Sequence, residues 1–254
     1  MGLAGRVVIV TGASRGIGRG IARHLARDGA RLAITGRRPE RLDDTLAELT
    51  GLGADVVAIT GDVADRDHAF ALVAATLERF GRVDGLVANA QTFRSVTPLA
   101  DVTPADMGLL LATGPLGTLW AMQAVFPPMR DRGFGRIVTM GSAMGMTGAA
   151  GYGPYSASKE AIRSLTRTAA REWGRHGILV NCVCPASVAH RMPPAGDDPD
   201  RDAAYASMYE DHPLGRDGDP DRDIAPVVAF LLSEDCRYVN GETIMVDGGG
   251  MLRA

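Results

Sequence analysis

Short runs of apolar, often β-branched residues alternate with amphipathic segments along the whole chain. Arg6–Thr11 is apolar almost throughout, which is typical of a parallel strand buried on both faces. After it, Ile17, Ala22, Leu25 and Ala26 fall on one face of a helix. The same alternation predicts strands at 31–35, 56–60, 83–88, 136–140, 178–183 and 243–246, and helices at 41–49, 69–80, 105–132, 155–173 and 224–232. Such regular alternation predicts an α/β fold, a doubly wound parallel sheet of about seven strands with helices on both faces.

One stretch breaks the alternation. The segment 185–216 shows no strand pattern and is rich in proline and aspartate. A loop of this length in a compact domain is usually a lid, a binding segment or disorder. We therefore predict one domain over residues 1–254, with a substrate lid at about 186–216 that contains a short helix.

Composition removes several classes of protein. The chain has 254 residues and a formal net charge of −3, which gives no basic footprint for nucleic acid or an anionic membrane. No apolar run approaches the roughly 18 residues of a membrane span, and Met1–Gly5 leads straight into a strand, so we expect no signal peptide. Cys182, Cys184 and Cys236 are too few for a disulfide framework and lack metal-ligand spacing. These features predict a cytoplasmic protein with no metal, membrane or nucleic-acid partner.

The basic residues are unusually distributed, since the 27 comprise 26 arginines and a single lysine, Lys159. Arginine and lysine replace one another on most surfaces, but not where a compact ammonium is needed. Lys159 follows Tyr155 by four residues on a predicted helix, so both side chains share one face. Tyrosine, with an ordinary pKa of about 10, is a poor acid–base group at neutral pH, and a nearby ammonium stabilises its phenolate. The pair is a candidate acid–base unit; the alternative is a chance spacing.

Glycines cluster between the first strand and the first helix, in Thr11–Gly18 (TGASRGIG). Glycine permits a tight turn and a close backbone approach there, and the helix N-terminus offers N–H groups and a positive dipole end to phosphate. Glycine clusters also occur in plain connectors. The strand before and the helix after favour a phosphate-binding loop.

The end of the second strand bears on which dinucleotide would bind. A site that prefers NAD places a carboxylate there to hold the ribose 2′-hydroxyl, whereas this chain has Gly36 followed by Arg37. Together with Arg15 in the loop, the missing acid favours a ligand with a 2′-phosphate. The alternative is a set of ordinary solvated arginines. The sequence therefore favours NADP(H) over NAD(H).

In their order and spacing, the motifs of this chain resemble those of the short-chain dehydrogenase/reductase family, which has a single-domain Rossmann fold. The resemblance covers essentially the whole chain and rests on Thr11–Gly18, Asp62-Val63, Asn89-Ala90, Ser142, Tyr155-x-x-x-Lys159, Pro185 and Val246–Gly249. It implies hydride transfer between a nicotinamide and a carbonyl or alcohol carbon.

The resemblance also implies a role for each matching residue. Tyr155 would be the general acid–base, Ser142 would polarise the substrate oxygen, and Lys159 would bind the nicotinamide ribose and stabilise the phenolate. The implied cofactor-binding residues are Gly12, Ser14, Arg15, Gly16, Ile17, Gly18, Arg37, Asp62, Val63, Asn89, Tyr155, Lys159, Pro185 and Val188.

The chain departs from the family pattern at four positions. Three are Gln91 and Ala186, where the family has glycine, and His190, where a threonine is common. The fourth is Gly114, which stands where the family carries a catalytic asparagine. Gly114-Pro115 inside an apolar helix predicts a local break. We expect a water to fill the space left at Gly114 and a proton relay rebuilt from water or Thr113; the alternative is a lost proton route.

These features predict an NADP(H)-dependent oxidoreductase that reduces a mainly apolar ketone, or oxidises the secondary alcohol, as a homotetramer or homodimer. The substrate pocket would be walled by the lid and by Gln91, Phe93, Met144, Met146 and Tyr152. Two alternatives stay open. One is a family member recruited to imine reduction or a redox-neutral reaction; the other is a weakly catalytic, cofactor-binding regulatory protein.

Overall fold

The computed structural model describes residues 2–93, 96–187 and 210–251. Within these ranges seven parallel strands form one sheet in the order β3-β2-β1-β4-β5-β6-β7. The strands are β1 (Val7–Thr11), β2 (Arg31–Gly36), β3 (Val56–Thr60), β4 (Gly85–Ala88), β5 (Gly135–Met140), β6 (Ile178–Pro185) and β7 (Thr243–Val246). The predicted doubly wound parallel sheet is confirmed.

Helices join the strands and cover both faces of the sheet. They are α1 (Gly16–Arg27), α2 (Pro39–Gly51), α3 (Arg66–Phe80), α4 (Pro104–Leu111), α5 (Gly117–Arg132), α6 (Ala143–Thr147), α7 (Gly153–Trp173) and α8 (Ala225–Leu232). Short 3₁₀ turns occupy Leu99–Asp101 and Gly174–His176, and π-helical turns occupy Ala112–Leu116 and Pro220–Ile224.

The central strand β1 is buried on both faces because successive side chains point to opposite sides of the sheet. Val8 and Val10 enter a core that contains residues of α1 and α8. Ile9 enters the opposite core, with residues of α3 and α5. The apolar run at the start of the chain therefore has a direct structural cause: residues 7–10 of this strand are all buried, so each carries an apolar side chain.

The long apolar segment before β5 is interrupted, as the sequence predicts. Regular helix gives way to a π-helical turn at Ala112–Leu116, which contains Gly114 and Pro115. Proline has no N–H to donate and clashes with the preceding turn of a regular helix. The wider turn accommodates it, so the predicted break is confirmed.

By length and composition, Pro104–Arg132 is apolar enough to cross a membrane, with a mean hydropathy of 1.4 over its best 18 residues. This corrects the expectation that no stretch of the chain would reach that threshold. More than half of the window, 56%, is buried inside the fold, as in the core helix of a soluble protein.

The predicted lid falls largely on residues 188–209, which lie outside the described residues. Residues 210–216 form turns, and a π-helical turn at Pro220–Ile224 precedes α8. The single domain over 1–254 and its lid at about 186–216 stay predictions.

The end of the sheet opposite the loop cleft is held by a buried carboxylate. Asp84 is 2% exposed, accepts a hydrogen bond from the Val7 N–H at 2.9 Å, and is contacted by Arg82 Nη2 at 2.5 Å. We expect Asp84→Ala to lower the free energy of unfolding by about 3 kcal/mol, because the buried N–H and the guanidinium lose their acceptor. Chemical denaturation measures this.

The matched control is Asp55→Ala. Asp55 pairs with Arg79 at 2.5 Å, but the two side chains are 42% and 54% exposed, so we expect a loss below about 1 kcal/mol. Equal losses in the two variants would contradict the role assigned to Asp84.

Candidate cofactor and active site

An open cleft lies at the carboxyl ends of β1 and β4, the point where the chain switches from one half of the sheet to the other. In doubly wound sheets, ligands bind at this switch point. The cleft brings together the predicted residues Gly12, Ser14, Arg15, Ile17, Gly18, Arg37, Asp62, Val63 and Asn89.

The glycine loop is packed closely against the end of β4. Gly12 has φ +68°, and a Cβ there would lie 2.9 Å from Cα of Ala90. A Cβ on Gly18 would lie 2.5 Å from Nδ2 of Asn89. Gly16 also needs its positive φ of 55°. Glycine is therefore required here both for backbone conformation and for space.

Asn89 joins the two central strands. Its Nδ2 donates to the Thr11 carbonyl at 2.9 Å, and Thr11 Oγ1 accepts from the N–H groups of Asn89 and Ala90, each at 3.0 Å. The side chain that the sequence assigns to cofactor binding thus also fixes the loop to β4.

The N-terminus of α1 is suited to binding a pyrophosphate. Its N-cap residue, Arg15, makes no side-chain hydrogen bond to the first turn, and Ile17 and Gly18 of that turn line the cleft. First-turn N–H groups and the helix dipole favour an anion at this place. The residues present therefore fit a dinucleotide.

Cations collect at the β2 side of the same cleft, where Arg15, Arg37, Arg38 and Arg41 all contribute to its lining. Nη1 of Arg37 lies 3.8 Å from a carboxylate oxygen of Asp62, and both side chains are about half exposed. No acid stands at Gly36, where a Cβ would press against Ser14 at 3.1 Å.

Tyr155 and Lys159 lie one turn apart on α7, as predicted. Nζ of Lys159 lies 5.5 Å from the centroid of the Tyr155 ring and donates to the Met140 carbonyl at 2.8 Å. Only 5% of the lysine is exposed. The ring of Phe93, which lines the cleft, meets the Tyr155 ring edge-on at 5.4 Å. The pair therefore lies next to the part of the cleft that Phe93 lines.

Ser142 reaches the same region through α6, a short helix that the sequence pattern did not indicate. Its Oγ accepts from the Met144 N–H at 3.2 Å and caps the helix. α6 packs on α7, where Ser156 Oγ donates to the Met144 carbonyl at 2.8 Å, and a Cβ on Gly145 would lie 3.2 Å from Cβ of Lys159. Five residues with an internal glycine are too few to show a helical period.

Two other predicted cofactor residues, Pro185 and Val188, stand at the end of β6 and after it in the sequence. Pro185 ends the strand in register with Val246 of β7. Val188 and the unusual His190 lie outside the described residues.

Comparisons with known proteins agree with this geometry. A family model described as enoyl-(acyl carrier protein) reductase matches residues 12–250. A 12alpha-hydroxysteroid dehydrogenase of Clostridium sp. is 35% identical, with 96% of each chain covered. Levodione reductase of Leifsonia aquatica is also 35% identical, over 96% of this chain and 93% of its own.

Solved structures give the same result in three dimensions. Levodione reductase superposes with a TM-score of 0.91 at 33% identity, covering 97% of this chain and 98% of that one. An NAD⁺-bound xylitol dehydrogenase superposes with a TM-score of 0.89 at 28% identity, covering 97% and 99%. The chain belongs to the short-chain dehydrogenase/reductase (SDR) family. It is therefore an oxidoreductase of a family that binds a nicotinamide cofactor.

In this SDR the space beside Gly114 is not left for a water, which corrects the expectation from the sequence. The side chain of Gln91 fills it, since a Cβ on Gly114 would lie 2.7 Å from Nε2 of Gln91. The sequence shows two separate departures, and only the fold shows that they meet.

Within 2–93, 96–187 and 210–251, no group of three or more His, Cys, Asp or Glu side chains is placed to hold an ion. The Cys182 and Cys184 thiols are buried, and both lie close to Gly141.

His68 packs beneath Gly61 in the wall of the SDR cleft, a position that the sequence pattern did not indicate. Its Nε2 lies 2.9 Å from Oγ1 of Thr35, and its ring packs so closely against Gly61 that a Cβ there would overlap it. Burial lowers the pKa of His68 from its ordinary value of 6.5, and the charges of Asp65 and Asp62 oppose this more weakly. The fold therefore favours the neutral ring.

A pH dependence follows from that burial. Below about pH 6.5 the unfolded chain binds a proton at His68 that the folded chain resists, so the free energy of unfolding should fall as the pH drops from about 7.5 to 5.5. We expect His68→Gln to reduce this slope in denaturation at several pH values. An unchanged slope in His68→Gln would contradict the assignment.

Proposed function

We propose that this SDR is an NADP(H)-dependent oxidoreductase that interconverts a mainly apolar ketone and its secondary alcohol. One observation carries the proposal: Tyr155 and the buried Lys159 lie together on α7, next to Phe93 of the loop cleft, and the short helix capped by Ser142 packs against Lys159. The relatives named for a hydroxysteroid and for levodione support this substrate class.

The residues divide the work as follows. A bound nicotinamide cofactor would supply or accept the hydride. The Tyr155 hydroxyl would give its proton to the substrate oxygen during reduction and take it back during oxidation. The Lys159 ammonium, held near the ring by the Met140 carbonyl, stabilises the phenolate. The Ser142 hydroxyl would donate to the same substrate oxygen and polarise it.

The preference for NADP(H) rests on the cations at the β2 side of the cleft. Arg37 and its arginine neighbours offer charge-assisted hydrogen bonds to a 2′-phosphate, and Gly36 presents no carboxylate to repel it. Asp62 partly offsets the charge of Arg37 at 3.8 Å. One structural relative was solved with NAD⁺ bound. Substitution of Arg37 therefore tests the cofactor preference directly.

Apolar rings support a ketone rather than a sugar as substrate. Phe93 contacts Tyr155 at 5.4 Å and the ring of Tyr152 at 6.0 Å, which places aromatic surface next to the acid–base pair. Aromatic walls favour ligands with a large apolar surface.

The proposal extends to a cytoplasmic homo-oligomer with small-molecule substrates and no nucleic-acid or membrane partner. The net charge of −3 supports the last two points. Because Gln91 fills the space at Gly114, that departure no longer gives separate support to imine reduction or a redox-neutral reaction.

Cofactor choice is tested by Arg37→Ala. Loss of a charge-assisted contact should weaken the binding of NADPH by about 1–3 kcal/mol and leave the binding of NADH nearly unaffected. KM for both cofactors measures the difference. Arg31→Ala changes an exposed arginine at the opposite end of the same strand and should alter neither; an equal effect of Arg37→Ala on both cofactors would contradict the preference.

The acid–base role is tested by Tyr155→Phe, which keeps the ring and removes the hydroxyl. We expect kcat to fall at least about a hundredfold, while NADPH still binds in a fluorescence titration. The same hydroxyl deletion at Tyr238, which is 99% exposed, should leave kcat unchanged. Near-normal turnover of Tyr155→Phe would show that Tyr155 only packs.

A further inference from the structure

The side chain of Gln91 connects the end of β4 with the helix that carries the acid–base pair. Its Nε2 donates to Oγ of Ser158 at 2.6 Å, and that hydroxyl donates in turn to the Tyr155 carbonyl at 2.7 Å. Ser158 is fully buried. Gln91 therefore acts on the backbone of Tyr155 through one intermediate group.

The same carboxamide is in close contact with the π-helical turn. An ideal Cβ on Gly114 would lie 2.7 Å from Nε2, 2.9 Å from Cδ and 3.2 Å from Oε1 of Gln91. Gly114 does not have a positive φ, so its backbone does not demand glycine. Glycine leaves this space to the end of the Gln91 side chain, and a side chain at 114 would displace Gln91 from the position in which it contacts Ser158.

The side-chain carbonyl oxygen of Gln91 lacks a hydrogen-bond donor among the described residues. Among the residues that the structure describes, no donor reaches the buried Oε1 atom, although Gln91 lines the cleft. Buried acceptors are nearly always satisfied, by protein or by ordered water. A hydrogen-bond donor from the cleft is therefore expected at this atom, and water is the donor that the solvated cleft supplies.

We propose that Gln91 and Gly114 form one coupled unit that positions the acid–base pair. The family pattern places a carboxamide on the helix at 114 and glycine after β4, whereas this chain exchanges them. Gln91 supplies the carboxamide from the strand side, fixes Ser158 through Nε2, and accepts a hydrogen bond from water through Oε1. The catalytic consequence rests on the proposed function, but the packing of the pair does not.

The chemistry at Ser158 explains why an amide is needed. Ser158 already uses its hydroxyl hydrogen on the Tyr155 carbonyl, so its oxygen can only accept from Gln91. Gln91→Glu keeps the shape but sets an oxygen against that oxygen. Gln91→Met keeps most of the volume and removes both hydrogen-bonding groups.

A double-mutant cycle tests the coupling on the whole chain. Gly114→Asn should lower Tm by at least about 5 °C because the new side chain meets Gln91. In the double variant with Gln91→Gly, most of that loss should be recovered, since the asparagine then has room. Additive changes in Tm would show that the two positions are independent and would overturn the proposal.

Kinetics test the positioning role. Gln91→Met should lower kcat for ketone reduction at least about tenfold and shift its pH profile, with KM for NADPH within about threefold of the wild type. Gln91→Glu should show a similarly lowered kcat. The double variant Gln91→Gly with Gly114→Asn should have a kcat within about threefold of the wild type. A control on the same turn, Leu116→Ala, changes an exposed side chain and should leave kcat unaltered.

The outcomes separate the two proposals. If Gln91→Met keeps both the kcat and the pH profile of the wild type, Gln91 only fills space, and the positioning role is wrong. If the wild type reduces no ketone with either cofactor, the proposed function is wrong, and the Tm cycle still decides whether Gln91 and Gly114 are coupled.

Discussion

The attachment of the glycine loop to β4 is the interaction on which the site depends. β1 and β4 are neighbours in the sheet, but the chain turns to opposite sides after each of them. The connections that follow the two strands therefore diverge and leave a cleft between them. Thr11 accepts three hydrogen bonds of 2.9–3.0 Å at the base of that cleft, two from Asn89 and one from the Ala90 N–H. Gly12 and Gly18 pack directly on Asn89 and Ala90, so the conformation of the glycine loop depends on this connection.

The second constraint is the burial of the only lysine. A buried ammonium is stable only when polar groups replace its water. The Met140 carbonyl at the end of β5 is one such group, and the close contact between α6 and α7 shields the lysine stem. The position of Ser142 is a consequence of that packing, because the serine caps the helix that covers Lys159. The three residues proposed for catalysis are thus linked through the end of one strand.

Gln91 and Gly114, two departures from the family pattern, lie in contact in the fold. Each departure alone would be unfavourable. A glutamine after β4 needs room, and a glycine in the π-helical turn leaves a gap beside a buried helix. Together they fill one volume, which is the behaviour expected of neighbours in a closely packed interior.

The sequence by itself determined the fold class, most element positions and the order of the motifs, because a doubly wound sheet imposes apolar runs and short glycine turns at regular places. It also identified Tyr155 and Lys159, since a four-residue spacing on a helix fixes a shared face. It placed a break at Gly114 and Pro115, because the proline effect is local. These features depend on neighbours along the chain, so they can be read from residue types and spacing.

Only the tertiary structure decided how distant segments fill common space. The support of the cleft by His68, the small helix behind Ser142 and the placement of Gln91 over Gly114 each depend on contacts between residues far apart in the sequence. The expected gap at Gly114 is filled for this reason: a small residue in the sequence leaves a space in the molecule only if no remote side chain reaches it. Close packing favours filling such spaces, and the fold determines which residue does so.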